Sequence, residues 1–195
     1  LEIENEDIRS LKALVLYGLK GISAYLEHGY QIKKEGKEIF EYLMYGLSEI
    51  AREDITADEL VALTMKTGEW GVTVMKYLDE ANAKYGEQEI SEVNLGVRNN
   101  PGILISGHDF VDLEELLEQT KGTGVDVYTH SEMLPAHYRP FFKKYDNLVG
   151  NYGNAWYLQK EELKKFNGPA LFTSNCLVPP DMETKDKIFT SGAVG

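Results

Sequence analysis

Three residues with metal-binding side chains follow short apolar runs in the second half of the sequence. They are His108, Glu132 and Cys176. An imidazole, a carboxylate and a thiolate together suit iron or zinc, and not magnesium or calcium. If the apolar runs are strands of one parallel sheet, their carboxyl ends share the edge where such sheets bind ligands. The sequence therefore predicts a metal site at that edge.

Each of these residues also has an ordinary structural interpretation. A cysteine after a strand is usually a small buried hydrophobe. A histidine in a loop more often makes a structural hydrogen bond, and a loop glutamate is usually solvated or caps a helix. Cys176 paired with His130 or His137 as nucleophile and base is a weaker alternative, because nothing in the sequence fixes their geometry. The coincidence of three donors on one predicted edge favours the metal site.

From Pro101 onward, short apolar runs alternate with helical stretches. The predicted strands are Ile103–Ile105, Val125–Tyr128, Leu148–Val149, Ala170–Phe172 and a weaker run at Ile188–Phe189. The predicted helices are Asp112–Thr120, with Asp112 as N-cap and Glu115 at N3, and Trp156–Phe166. Such alternation implies right-handed crossovers between parallel strands. It predicts a Rossmann-like α/β domain.

The first half has helical periodicity. Apolar residues recur at steps of three and four over Asp7–Tyr30, again around Ile39–Leu47, and from Thr56 to about Lys84. Gly36 is a plausible break, and Thr56 with Glu59 forms a capping-box pattern. Short connections between three amphipathic helices predict an antiparallel three-helix bundle.

The two patterns predict two domains. We expect a helical bundle over residues 1–92 and a Rossmann-like domain over residues 93–195, with the join near Asn99-Asn100-Pro101. The fold class is thus α+β followed by α/β. The sequence starts without Met and stops after Gly195 without a closing helix, and we interpret both ends as cuts through a longer protein.

Composition excludes several classes of protein. The formal net charge of −12 disfavours a nucleic-acid binder, which needs basic patches to displace counterions from phosphate. No apolar run approaches the ~18 residues of a membrane span. A single cysteine and the lack of any Asn-x-Ser/Thr acceptor fit a reducing, cytoplasmic setting.

Five stretches of the second half form a dense, ordered pattern. They are Ile103–Asp109, Gly122–His130, Glu132–His137, Leu148–Gly153 and Thr173–Cys176. In them the sequence resembles the hybrid cluster proteins, the prismane or hydroxylamine reductase family. Ser131 stands where the family often has Gly, and Asn154 follows Gly153 as a similar departure. The first half is similar mainly in being helical.

The resemblance implies a specific cofactor. The family holds a hybrid iron-sulfur-oxo cluster of the 4Fe-2S-2O type, bound by one His, two Glu and four Cys, and a separate cubane iron-sulfur cluster. By motif, His108, Glu132 and Cys176 correspond to the first His, Glu and Cys of the hybrid site. The other ligands of both clusters lie outside this sequence. We therefore expect an internal fragment that carries part of the cluster site and is metal-free and inactive alone.

The resemblance also implies a reaction and partners. The parent would reduce hydroxylamine, or nitric oxide, to ammonia and water. It would use a small nitrogen substrate, a redox electron donor and the missing remainder of its own chain, whose absence exposes surface for self-association. His130 and His137 are candidate proton donors, since imidazole titrates near neutral pH.

Other functions remain open from the sequence alone. One is a related carbon monoxide dehydrogenase-type fragment, against which the Glu132–His137 stretch argues. The others are a non-catalytic binding or scaffold module with a structural Cys176, and a zinc-binding module or small zinc hydrolase that uses the three donors and a water.

Overall fold

The structure, a computed structural model, describes residues 5–174 and 176–192. The chain divides into two compact units, Leu1–Lys84 and Tyr85–Gly195. The first unit is helical, and the second holds a parallel sheet with helices between its strands, which is the predicted α/β class. The boundary that the sequence predicted, between residues 92 and 93, lies within the second unit. There the amide of Glu89 donates to the carbonyl oxygen of Tyr138 at 2.9 Å.

Three long helices make up the described part of the helical unit. They are α1 (Glu6–Lys33), α2 (Lys37–Ala51) and α3 (Ala57–Asn82). Their apolar stripes share one core, as amphipathic periodicity requires; its buried residues are Val15, Leu19, Ile22, Leu26, Ile39, Tyr42, Ile55, Leu60, Leu63 and Val74. None of the helices in the described parts of the chain combines the length and apolarity that crossing a membrane requires.

Local sequence signals set the ends of these helices. Lys34 adopts a left-handed conformation with φ 57° after α1, and Gly36 with φ 124° precedes α2, where a break was predicted. The capping box at the start of α3 is confirmed. The Thr56 hydroxyl accepts from the Glu59 amide at 3.3 Å, and the Glu59 carboxylate accepts from the Thr56 amide at 2.8 Å.

The second unit contains five parallel strands in its described residues. They are β1 (Gly102–Ser106), β2 (Asp126–His130), β3 (Leu148–Asn151), β4 (Ala170–Phe172) and β5 (Ile188–Thr190). Their order in the sheet is β3-β2-β1-β4-β5. Ser106, the last residue of β1, lies beside His130 of β2 and Phe172 of β4. Each of the five predicted apolar runs is therefore a strand.

Two α-helices lie between consecutive strands of the sheet. α4 (Phe110–Thr120) lies between β1 and β2, and α5 (Gln159–Lys165) lies between β3 and β4, after a short 3₁₀ helix at Trp156–Leu158. Side chains of α5 and the residue after it join the core on one part of the sheet. That cluster comprises Leu104, Tyr128, Val149, Leu163, Phe166, Ala170 and Phe172.

The predicted N-cap of α4 is wrong. Asp109, not Asp112, caps the helix, because its Oδ1 accepts from the amides of Val111 at 2.8 Å and Asp112 at 3.3 Å. Asp109 has the extended backbone that an N-cap needs, with φ −85° and ψ 107°. The helix begins earlier than predicted because Phe110 is buried and adds to its apolar face. Asp112 instead accepts from the Ser191 hydroxyl at 2.6 Å.

Candidate metal centre

The sheet has a topological switch point at β1. The chain passes from β1 to β2 on one side and later reaches β4 on the other side. In open parallel sheets, ligands bind in the crevice outside the carboxyl ends of strands that part in this way. His108, Glu132 and Cys176 follow the carboxyl ends of β1, β2 and β4, so the fold brings them to this crevice.

The three predicted donors converge. One ligand atom from each of His108, Glu132 and Cys176 lies within 4.8 Å of the other two. The Cys176 Sγ lies 3.2 Å from Glu132 Oε2 and 3.9 Å from His108 Nε2. His108 Nε2 and Glu132 Oε2 are hydrogen-bonded to each other. A nitrogen, an oxygen and a sulfur donor therefore surround one point, and this donor set fits iron or zinc.

The imidazole of His108 is oriented from its other side. Its Nδ1 lies 2.7 Å from the hydroxyl oxygen of Ser174, which is buried just after β4. Histidines that bind metals almost always use the second ring nitrogen in this way, which fixes the ring and the tautomer. Ser174 thus directs Nε2 of His108 toward Glu132 and Cys176.

Electrostatics in the trio favour a carboxylate next to a protonated thiol. The hydrogen bond from Cys176 lowers the pKa of Glu132, with a further contribution from His108 and against partial burial. Burial raises the pKa of the Cys176 thiol to about 12, and the neighbouring Glu132 adds to the rise. A bound cation reverses this preference, since a coordinating thiol is deprotonated. Metal binding at this point is therefore coupled to proton release.

A single residue in the left-handed region precedes each of the first two donors. Gly107, before His108, has φ 119°, and Ser131, before Glu132, has φ 53°. A Cβ on Gly107 would lie 2.8 Å from the Ser174 hydroxyl oxygen and 2.9 Å from its amide nitrogen, so only glycine fits this approach of β1 to β4. At Ser131 a residue with a Cβ adopts this conformation, at the position where the family that the sequence resembles often has Gly.

The two predicted proton donors have partners of their own. The ring of His130 is fully buried, with Nδ1 3.2 Å from the Ser106 hydroxyl and Nε2 2.9 Å from a Glu162 carboxylate oxygen. His137 Nε2 lies 2.9 Å from the Thr129 hydroxyl, and burial lowers its pKa. The proton-donor role of both histidines stays a prediction.

Sequence reasoning missed the residues that support the donors. Ser106, Glu162 and Ser174 hydrogen-bond to His130 or His108 across 24 to 66 residues of sequence. Glu162 lies among charged residues of α5 and has the pattern of a solvated helix face. Ser174 could have been predicted, because it stands between a predicted strand and Cys176 in the sequence.

Comparison with known proteins places this chain in a family. The family model described as "Prismane/CO dehydrogenase family" matches residues 1–195. The chain belongs to the prismane/CO dehydrogenase family. Within it, the chain is 63% identical over 198 residues to a hydroxylamine reductase of Bacteroides fragilis, covering 100% of this chain and 36% of that protein.

Further members of the prismane/CO dehydrogenase family match at the same extent. The hydroxylamine reductase of Bacteroides thetaiotaomicron is 63% identical over 198 residues, and that of Acetivibrio thermocellus is 60% identical over 197 residues. Each match covers 100% of this chain and 36% of the relative. The chain thus spans about a third of the length of the curated relatives it matches.

Proposed function

We propose that this chain supplies three ligands of an iron-sulfur-oxo cluster in an oxidoreductase that reduces hydroxylamine to ammonia and water, with nitric oxide as a second substrate. The observation that carries the proposal is the convergence of His108, Glu132 and Cys176 within 4.8 Å at the switch point of the sheet. Relatives named hydroxylamine reductase match along the whole chain.

The donor set fits the hybrid cluster of the 4Fe-2S-2O type. Thiolate sulfur binds and tunes iron in iron-sulfur clusters, and imidazole and carboxylate are common ligands of iron that carries oxygen. Since Cys176 is the chain's single cysteine, the remaining thiolates must come from polypeptide outside it. The same holds for the cysteines of a cubane cluster.

The chain's own residues would bind the cluster and orient the His108 ligand. Cys176 offers a thiolate, His108 offers Nε2 while Ser174 holds Nδ1, and the exposed Glu132 offers a carboxylate that can shift and open a coordination position. When bound, the cluster supplies the two electrons that cleave the N–O bond of hydroxylamine. Two protons complete the conversion to ammonia and water.

We extend the proposal to the organisation of the protein. The three helices around one core support a three-helix bundle, and the strand order β3-β2-β1-β4-β5 supports a Rossmann-like domain. We keep residues 1–92 and 93–195 as the proposed domains. A redox electron donor supplies the electrons in the cytoplasm, a location that fits the single cysteine.

The remainder of the polypeptide is a proposed partner of the helical unit. An apolar groove of about 390 Å³ lies between α1 and α3 and includes Tyr17 and Met75, which are 70% and 50% exposed. Surfaces of this kind mark contact sites. Because 36% of each relative is covered by this chain, most of the relatives' polypeptide lies outside it, and we assign the groove to that part.

The test is made in the complete protein of which this chain is a part, purified without oxygen. Iron and acid-labile sulfide are quantified together with hydroxylamine-dependent oxidation of a reduced viologen. We expect Cys176→Ser and His108→Ala to lower iron content and activity by at least tenfold. Glu161→Gln, an exposed change on α5, is the control and should keep both. Full iron and activity in both ligand variants would refute the proposal.

Zinc binding is a second candidate, favoured by one observation. A His, Glu and Cys trio is by itself a complete three-ligand set for a zinc ion with an open fourth position. The metal content of the 195-residue chain, purified without oxygen, distinguishes a zinc site from part of an iron-sulfur-oxo cluster site. We expect the chain to be essentially free of iron and zinc, because a multi-iron cluster lacks its other ligands. One equivalent of tightly held zinc would favour the zinc module.

A further inference from the structure

A buried pair of side chains adjoins the candidate metal centre without belonging to its ligand set. His130 is the last residue of β2 and precedes Glu132 by one intervening residue. Its ring is fully buried, and Nε2 donates to Glu162 Oε2 at 2.9 Å. The Glu162 side chain is 14% exposed. A carboxylate so far from water is kept only where hydrogen bonds satisfy it.

The His130 ring ties the ends of two strands together. Its Nδ1 lies 3.2 Å from the hydroxyl oxygen of Ser106, and that hydroxyl also lies 3.3 Å from the His130 carbonyl oxygen. Ser106 is the last residue of β1 and is the register partner of His130. The contacts between His130 and Ser106 therefore hold the end of β2 against the end of β1.

Glu162 is itself held from the opposite side. Its Oε1 accepts from the Asn154 backbone amide at 2.9 Å and from the Asn154 side-chain amide at 3.1 Å. Gly153, with φ 79°, closes on the pair: a Cβ there would lie 2.6 Å from Glu162 Oε2 and 2.9 Å from His130 Cδ2. The backbone after β3 thus packs directly against both side chains.

This arrangement connects directly to two donors. From Ser106, one left-handed residue, Gly107, leads to His108. From His130, one left-handed residue, Ser131, leads to Glu132. A shift of His130 along Ser106 therefore moves the Glu132 carboxylate relative to the His108 imidazole. Binding constellations tolerate displacements of only ~0.5 Å before they lose affinity.

We propose that His130 and Glu162 are positioning residues that hold the Glu132 carboxylate against His108 and Cys176. Glu162 acts through His130, His130 acts through the end of β2, and neither binds the metal. The inference rests on the proposed function, since it takes the three residues as ligands.

The first test is a Co²⁺ titration of the 195-residue chain, followed by its thiolate-to-cobalt absorption band. We expect Glu162→Ala to weaken Co²⁺ binding by about 10- to 100-fold, as supporting residues of metal ligands do. Glu162→Gln should recover part of this loss, because its amide oxygen still accepts from His130. The neighbouring Glu161, whose side chain is 68% exposed, provides the control variant Glu161→Ala, which should bind like the wild type.

The second test needs no metal. The ring signals of His108 are followed by ¹H–¹³C NMR in the metal-free chain. We expect Glu162→Ala to change the chemical shifts of these signals in the same direction as Glu132→Gln does. Glu161→Ala should leave the chemical shifts unchanged. Gly153→Ala, which pushes on the same pair, should act like Glu162→Ala and serves where that variant does not fold.

The outcomes distinguish the ligand assignment from the positioning role of His130 and Glu162. A wild-type chain that does not bind Co²⁺ agrees with the expectation that the chain alone is metal-free, and the NMR comparison then decides whether the pair positions Glu132; the ligand assignment itself fails only if Cys176→Ser and His108→Ala keep full iron in the complete protein. Unchanged His108 signals in folded Glu162→Ala and Gly153→Ala chains overturn the positioning role. Equal losses in Glu161→Ala overturn it as well.

Discussion

Glu132 is the residue that connects the other two donors of the candidate metal centre. Its Oε2 contacts both His108 Nε2 and the Cys176 Sγ, so the three donor atoms face one point, between them, where a cation would be bound. The carboxylate reaches this point because Ser131 turns the chain through a left-handed conformation. The position of the oxygen thus depends on a backbone angle as much as on its hydrogen bonds.

The cost of that angle is measurable. We compare Ser131→Gly with Ser131→Ala, since both remove the hydroxyl and differ only in the Cβ. The glycine variant should be more stable toward urea by about 1 kcal/mol, because a Cβ is disfavoured in the left-handed region. Ser48 is an exposed position within α2 and provides the control pair Ser48→Gly and Ser48→Ala. There the alanine variant should be the more stable toward urea by about 1 kcal/mol, because glycine is disfavoured inside a helix. The same order at both positions would contradict the assigned backbone conformation.

Ser174 makes a separate contribution through His108. Ser174→Ala removes the partner of Nδ1 and leaves the ring free to rotate away from the other donors. We expect roughly tenfold weaker Co²⁺ binding by the chain, at the low end for residues that orient metal-binding histidines. Ser191→Ala removes a hydroxyl that donates to Asp112 instead, and its affinity should match the wild type. Equal affinities in both variants would show that Ser174 does not orient the ring.

At the scale of elements, capping side chains decide where the helices begin. The sequence pattern at Thr56 was sufficient, because both halves of a capping box lie within four residues. The pattern at α4 was not, since Asp109 and Asp112 are both suitable caps and the burial of Phe110 decides between them. Local signals are predictable from sequence when they are complete within one turn of a helix.

The capping box makes the helical unit sensitive to pH. Hydrogen bonds from the Thr56 amide and hydroxyl lower the pKa of Glu59. A carboxyl whose pKa falls on folding stabilises the fold above its unfolded pKa, and this stabilisation is lost as pH falls through the folded value. Glu59→Gln should therefore destabilise α3 at neutral pH. The difference in free energy of unfolding between this variant and the wild type should become smaller as the pH falls. Urea unfolding followed by helical circular dichroism at several pH values checks this; a constant difference would contradict it.

At the scale of the whole molecule, the sequence predicted the five strands and the three donors, and it left the strand order open. Apolar runs and strand ends are local features, so His108, Glu132 and Cys176 could be identified from them. Pairing of β1 with β4 depends on residues more than 60 positions apart, such as Ser106 and Phe172. The supporting contacts of Glu162 depend on that pairing, and no local pattern marks them.

The apolar groove of the helical unit makes a prediction for the isolated chain. Without the polypeptide that we assign to the groove, its exposed side chains should drive self-association. Sedimentation velocity should show concentration-dependent oligomers. Met75→Glu, inside the groove, should shift them toward monomer, whereas Met44→Glu, 72% exposed and outside the groove lining, should not. A chain that stays monomeric at all concentrations would remove the support for a covered groove.

The separation of the donors along the chain also sets the order in which they are made. Glu132 follows His108 by 24 residues, and Cys176 follows it by 68. At ribosomal rates of ~5–20 residues per second, Cys176 is synthesised roughly 3 to 14 s after His108. Until β4 has been made and paired with β1, a nascent chain offers one nitrogen and one oxygen, a weak pair for soft metals. Among these three donors the thiolate that favours iron is made last, so stray ions meet an incomplete trio until Cys176 has been synthesised and β4 has paired with β1.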